Sequence, residues 1–254
     1  TVEQYGIPPK SDQKAGPVPL ADCLNDTTTP TPFGPGCWQF FLVNEPAHDA
    51  VEGPLDSNDT RMQQVFYAGG LLYGALDTAV NVGGAEKAGI AWFIIRPSID
   101  AANKVVRTSL NATVVKQGYL GIADNNVTYP AIAVREDGAG VMAFTLVGAD
   151  HYPSAAYTTI DATNGVGTIS IAAEGATPQD GFSEYDAFAS SGIARPRWGD
   201  YGAAAVDGNN FWIASEYIGG HQCTFAEYVA TGFTCSGTRT SLANWYTRIS
   251  QVAP

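Results

Sequence analysis

The stretch "YGAAAVDGNNFWIASEYI", residues 201–218, places two short apolar runs on either side of Asp207-Gly208. Glycine accepts the positive φ that a tight turn requires, so the segment predicts an antiparallel hairpin. The same layout occurs twice upstream. "QQVFYAGGLLYGALDT" (63–78) turns at Gly69-Gly70 and leads to "GIAWFIIRPS" (89–98); "YPAIAVREDGAGVMAFTLVG" (129–148) turns at Asp137-Gly138 and leads to "SAAYTTID" (154–161). The segment at 201–218 leads in the same way to "LANWYTRISQV" (242–252). The strands after the turns begin near residues 71, 141 and 211, a spacing of roughly 70 residues that marks an internal repeat.

In the first two units a fourth strand follows, "ATVVKQGYLGI" (112–122) and "GTISIAAEG" (167–175). Four antiparallel strands per repeat is the plan of a β-propeller blade, and the expected fold is an all-β, propeller-like array. The units divide the chain at 61–125, 126–192 and 193–254. Residues 1–60 form an N-terminal extension or degenerate blade. The last unit lacks a fourth strand, which "CWQFFLVNE" (37–45) is expected to supply as a ring-closing strand, covering an edge that otherwise invites aggregation. Three units fall short of the usual 4 to 8 blades, so the expected partners are further blades of the same protein or neighbouring subunits. The competing arrangement is a β-sandwich, because strand spacing fits both folds.

The 254 residues carry a formal charge of −12, which argues against nucleic acid, since phosphate binding needs Lys and Arg to displace counterions. No run is long and apolar enough to span a bilayer. The four cysteines fall as local pairs, Cys23 with Cys37 and Cys223 with Cys235, without neighbours at zinc-ligand spacing. Read as disulfides, each closes a short loop and contributes about 3 kcal/mol in the chain-entropy model. Asn-x-Thr sequons stand at Asn25, Asn58, Asn111 and Asn126. Disulfides and glycosylation together predict a secreted or cell-surface protein. The opening "TVEQYGIPPKSDQK" is polar and unlike a signal peptide, so the chain is expected to be a mature form or a fragment.

The run "RWGDYGAAAVDGNNFWIASEY" (197–217), with "ANWYTRI" (243–249), resembles the terminal blades of secreted bacterial β-propeller repeat proteins. These carry Arg-Trp-Gly-Asp-Tyr openings, a Trp-bearing second strand and a Trp-x-Thr-Arg closing strand. "LDSNDTRMQQVFYAGGLLYGALDT" (55–78) looks like the entry to another such blade. The resemblance covers residues 55–254 in outline and implies a propeller in an extracellular setting, but no reaction. The Ser-x-Asp-x-Gly-x-x-Trp box of sialidase propellers is absent.

Arg197, Trp198, Asp200 and Tyr201 can hold a sugar by stacking and by bidentate hydrogen bonds, and form the candidate ligand site. The alternative is structural: Arg197 pairs with Asp200 and Trp198 wedges between sheets. Catalytic candidates are Asp200, Glu184 and Glu216, as carboxylates for glycoside hydrolysis, and His151 with Tyr152, as an acid/base couple of a polysaccharide lyase. Glu184 and Glu216 each sit in a Ser-Glu-Tyr tripeptide that also suits a solvated strand edge. His48 and His221 lie in polar or Gly-rich loops.

"DSNDT" (56–60) begins like a calcium loop, but Arg61 and Tyr67 stand where an EF-hand needs Gly and Glu. No metal ligand set or cofactor is therefore assigned, beyond a structural calcium bound by loop carbonyls. Phosphate-binding glycine loops, Gly-x-Ser-x-Gly elbows and His-Glu-x-x-His motifs are absent. The expected function is an extracellular module for adhesion, glycan contact or structural assembly, with a carbohydrate-active enzyme as the alternative.

Overall fold

Along residues 140–148 the side chains alternate in direction and in size. Successive residues of a strand face opposite sides. Met142, Phe144 and Leu146 meet one neighbouring layer and Val141 and Ala143 the other, and the whole segment is buried. The computed structural model, which describes residues 6–40, 54–98, 111–180, 198–220, 223–239 and 243–253, is an antiparallel β protein organised about this strand.

The first elements among the described residues are a short helix α1 (Pro19–Asn25), a small hairpin of β1 (Pro30–Thr31) and β2 (Gly34–Pro35), and a 3-10 turn at Cys37–Phe40. The first large sheet has the order β3 (Gln64–Ala68), β4 (Leu71–Val82), β5 (Ala85–Pro97), β6 (Ala112–Leu120). The middle sheet joins β7 (Asn125–Val134), β8 (Gly140–Gly148) and β9 (Ser154–Asp161), with β10 (Gly165–Val166) and β11 (Ser170–Ala173) both paired to β9. The third joins β12 (Ala203–Asp207), β13 (Asn210–Tyr217) and β14 (Tyr246–Val252), with helix α2 (Phe225–Ala230) and a 3-10 turn at Cys235–Gly237 inserted before β14.

Each repeated segment therefore forms its own antiparallel sheet. The first hairpins close as their turn residues predict, with Ala68 opposite Leu71 and Asp207 opposite Asn210, and with Gly69, Gly70 and Gly208 at positive φ. The all-β expectation holds at this level. Among the described residues the sheets stack without closing into a ring, an arrangement that sandwich-like folds share.

Two apolar layers hold the stack together. Leu71, Tyr73, Ile90, Trp92 and Ile94 of the first sheet pack on Ile132, Val134, Met142, Phe144 and Leu146 of the middle one. On the other side, Ala131, Ala133, Val141 and Ala143 meet Ala204, Phe211, Ile213 and Val252 of the third sheet. Each fully buried large side chain contributes about 1.5–3 kcal/mol, and the alanines let the third sheet approach closely.

Polar side chains join the layers where backbone groups lack strand partners. Gln64 accepts from the Ile132 N–H (3.1 Å) and donates to the Ala204 carbonyl (3.3 Å), so one side chain links the first strands of all three sheets. Asn126 Oδ1 accepts from the Ala88 N–H at 3.0 Å, and its Nδ2 donates to the Val147 carbonyl. With Asn126 only 1% exposed, that sequon cannot carry a glycan in the folded chain, contrary to the sequence expectation. The Asn58 Nδ2 is also buried, which leaves Asn25 and Asn111 as the exposed sequons.

The expected strand at 37–45 is corrected in part: Cys37–Phe40 is a 3-10 turn, and residues 41–45 lie outside the described residues. Asp26 accounts for this local geometry. Its carboxylate accepts from the N–H groups of Thr28, Thr29 and Cys37, the last at 2.8 Å, and the Cys23–Cys37 disulfide draws the chain against α1. Burial opposes the charge of Asp26, yet these hydrogen bonds hold its carboxyl well below the usual carboxylate range.

Both expected disulfides are present and pack together around the buried Tyr228, so the N-terminal segment docks on the insertion before β14. An ion pair lies beside them. Arg239 Nη1 reaches both Asp180 oxygens at 2.8 Å, the Leu20 N–H donates to the same carboxylate, and the guanidinium lies over the Tyr228 ring. Asn244 completes the joint, accepting from the Asp180 N–H and donating to the Pro178 carbonyl. Among the described residues no helix is long and apolar enough to cross a membrane.

Phe144→Ala is expected to lower the unfolding free energy by about 3–5 kcal/mol and Ala143→Leu by about 1–3 kcal/mol, the first by opening a cavity and the second by overpacking. Urea denaturation measures both, and tolerance of Leu at 143 would contradict the tight alanine layer. Asp180→Ala removes the carboxylate that holds Arg239 Nη1 and is expected to cost about 3–5 kcal/mol. In the same experiment Asp59→Ala, which breaks an exposed pair with Arg61, should leave the midpoint nearly unchanged.

Candidate functional site

The site begins at an irregularity in the middle sheet. Pairing of β7 with β8 shifts between Thr128 and Ala131, and Tyr129 takes a φ of 60° within this bulge. A bulge re-aims its side chain. The Tyr129 ring is buried with Leu55, Val147, Trp198 and Ile218, and its backbone N–H donates to Asp77 Oδ1 at 2.8 Å. Gly199 lies directly on this ring: a Cβ there would stand 2.8 Å from Tyr129 Cδ2, and its φ of +62° is one that side chains rarely adopt. The glycine of the Trp-Gly-Asp-Tyr segment is thus dictated by close packing and backbone conformation.

From that anchor the segment 198–201 runs across the end of the third sheet. Trp198 is only 2% exposed and its indole N–H donates to Thr145 Oγ1 of β8 at 3.0 Å, so it fastens the segment to the middle sheet. Its ring packs with Leu55, Tyr129, Val147 and Ile218, which leaves little of it open to stack on a ligand. The Gly199 N–H donates to Glu216 Oε2 at 2.8 Å. Beyond these contacts opens a cleft of about 290 Å³, lined by Asp200, Tyr201, Ser215, Glu216, Trp245 and Thr247, with Trp198, Gly199 and Ala214 completing its wall.

Sheet register brings these distant residues together. Glu216 of β13 lies opposite Thr247 of β14, and Trp245 sits just before β14, behind the anchored Asn244. The side chains of Tyr201 and Trp245 are 63% and 53% exposed, which leaves two aromatic surfaces at the cleft. Among the described lining residues the charged groups are Asp200 and Glu216.

Burial is the main cause that raises the Glu216 carboxyl to about 7; the Gly199 N–H opposes the shift and the charge of Asp200 adds to it. Behind the cleft, burial pushes Asp77 well above the carboxylate range, although the Tyr129 N–H and Asn58 favour its charged form. The Tyr129 phenol is also raised, first by burial and then by Asp56, Asp200, Asp77 and Glu216. Its hydroxyl is buried without a hydrogen-bond partner among the described residues.

The other sequence candidates lie apart from this cleft or outside the described residues. His151 Nδ1 meets Glu174 Oε1 at 3.1 Å, and the Tyr152 hydroxyl donates to the Ala15 carbonyl beneath Lys14. Neither His151 nor Tyr152 lines the cleft. Arg197, Glu184, His48 and His221 fall outside the described residues. In the 56–60 segment the Asn58 N–H donates to Asp56 and Asp59 is held by Arg61. Among the described residues no group of three or more His, Cys, Asp or Glu is arranged to hold a metal ion.

Sequence reading named Asp200, Tyr201 and Glu216 but missed Trp245, Thr247 and Ser215 as lining residues. The signal for Trp245 was its place within the resembling "ANWYTRI" segment, just before the last strand. Compared with known protein families, curated proteins and solved structures, the chain matches none.

The Glu216 shift sets a pH dependence. A carboxyl raised from 4.5 to about 7 on folding binds a proton in the native state that the unfolded chain has released, so stability falls as pH rises through this window. Glu216→Gln keeps an acceptor for the Gly199 N–H and cannot ionise. Its melting temperature should match the parent near pH 4 and exceed it by a few degrees near pH 8, and an equal difference at both pH values would contradict the burial of this carboxyl.

Proposed function

We propose that the chain is an extracellular glycan-contact module whose three sheets are successive blades of a propeller-like array, and that the cleft at the end of the third sheet holds the sugar. The observation that carries this reading is the joining of two exposed aromatic side chains, Tyr201 and Trp245, to a half-buried carboxylate, Glu216, in one concave site. A sugar presents apolar C–H faces that pack on aromatic rings and hydroxyls that donate to carboxylates. Asp200, Ser215 and Thr247 supply further polar atoms at the same wall.

The setting is supported by the two disulfides, which persist in oxidising compartments. The propeller reading is supported by the face-to-face stacking of three sheets cut from one repeat and by the way Gln64 gathers their first strands. Further blades or neighbouring subunits remain its expected partners.

A hydrolase is the second reading, favoured by one observation: Glu216, raised to about 7, is partly protonated at neutral pH, as a general acid poised near the working pH is. Release of reducing ends from the bound oligosaccharide, abolished in Glu216→Gln, would move the site into that class.

Binding of a panel of neutral β-linked oligosaccharides, followed by calorimetry, tests the main reading. Trp245→Ala and Tyr201→Ala are each expected to weaken binding by about tenfold with an unchanged melting temperature. Affinity indifferent to both substitutions would overturn it, as would a parent that binds no oligosaccharide, neutral or charged.

A further inference from the structure

We propose that the sugar residue held against Glu216 carries a free amino group, so that the preferred ligands are cationic amino-sugar oligomers rather than neutral or acidic glycans. This rests on the glycan reading above and specifies its ligand class. Among the described lining residues the charged groups are two carboxylates, and no Lys, Arg or His joins them. One oxygen of Glu216 accepts from the Gly199 N–H, while the other has no hydrogen-bond partner among the described residues. An ammonium group at that oxygen forms a charge-assisted hydrogen bond, stronger than one from a neutral hydroxyl.

The surroundings favour the same charge. Arg61 is near enough to feel Asp200 and Tyr201, but its guanidinium is already clasped by both oxygens of Asp59. Beneath Gly199, the buried Tyr129 hydroxyl without a partner among the described residues lies in the field of Asp56 and Asp200, negative charge that a cation in the cleft offsets. The net charge of −12 attracts cationic ligands and repels acidic ones over longer range.

The test compares glucosamine oligomers with their N-acetylated counterparts of equal length, by calorimetry near pH 7 at low salt. For the parent protein the free-amine oligomer should bind about tenfold more tightly. Glu216→Gln should bring the ratio of the two affinities close to one, whereas Trp245→Ala should weaken both oligomers and preserve the ratio. Circular dichroism of each variant checks its fold. Equal binding of the two oligomers by the parent, or a preference that survives in Glu216→Gln, overturns the amine assignment while leaving glycan contact intact. If the parent binds neither these nor the neutral panel, the glycan reading itself falls.

Discussion

The structure depends on burying both faces of β7 and β8 at once. A sheet covered on one side can expose the other to water; this one cannot, because each face carries apolar side chains matched to a different neighbour. The large side chains on one face set the distance of the first sheet, and the alanines on the other admit the third. Backbone and side-chain hydrogen bonds then fix how the sheets are aligned. Gln64 is central here, since an amide that accepts from one sheet and donates to another tolerates little sliding of either.

The cleft inherits its geometry from that alignment and from a second constraint near the ends of the chain. Trp198 ties one wall to β8, and Gly199 can cross the Tyr129 ring only because it has no Cβ. The opposite wall follows from the joint of Asp180, Arg239 and Asn244, which holds the chain immediately before Trp245. Two disulfides brace the same joint from the N-terminal side and from the insertion. In this way contacts distant from the cleft hold an exposed tryptophan beside a carboxyl that burial raises to about 7.

Much of the strand plan was legible because turn glycines punctuate it: Gly69-Gly70 and Gly208 mark hairpins that close where the sequence predicts them. Cysteine pairing was legible too, since the pairs are local. What sequence could not convey was which layer each face meets. Asn126 reads as a surface sequon in isolation, and only the approach of Ala88 and Val147 makes it an internal connector. The aromatic run from Cys37 reads as a strand until the Cys37 N–H is seen to donate to Asp26, at the start of a 3-10 turn. Trp245 lies more than forty residues from Asp200, and the pairing of β13 with β14 brings it to the cleft, a relation invisible to local patterns.

Heteronuclear NMR offers the most direct test of the claim that this cleft contacts glycans. The five tryptophans give separate indole N–H probes: Trp245 at the cleft, Trp212 elsewhere on the third sheet, and Trp38, Trp92 and Trp198 in buried positions. Titration with an oligosaccharide should shift the Trp245 indole and the Gly199 amide together and leave Trp38 and Trp92 unmoved. Shifts centred on Trp212 or on the first sheet, with Trp245 and Gly199 unchanged, would contradict the account.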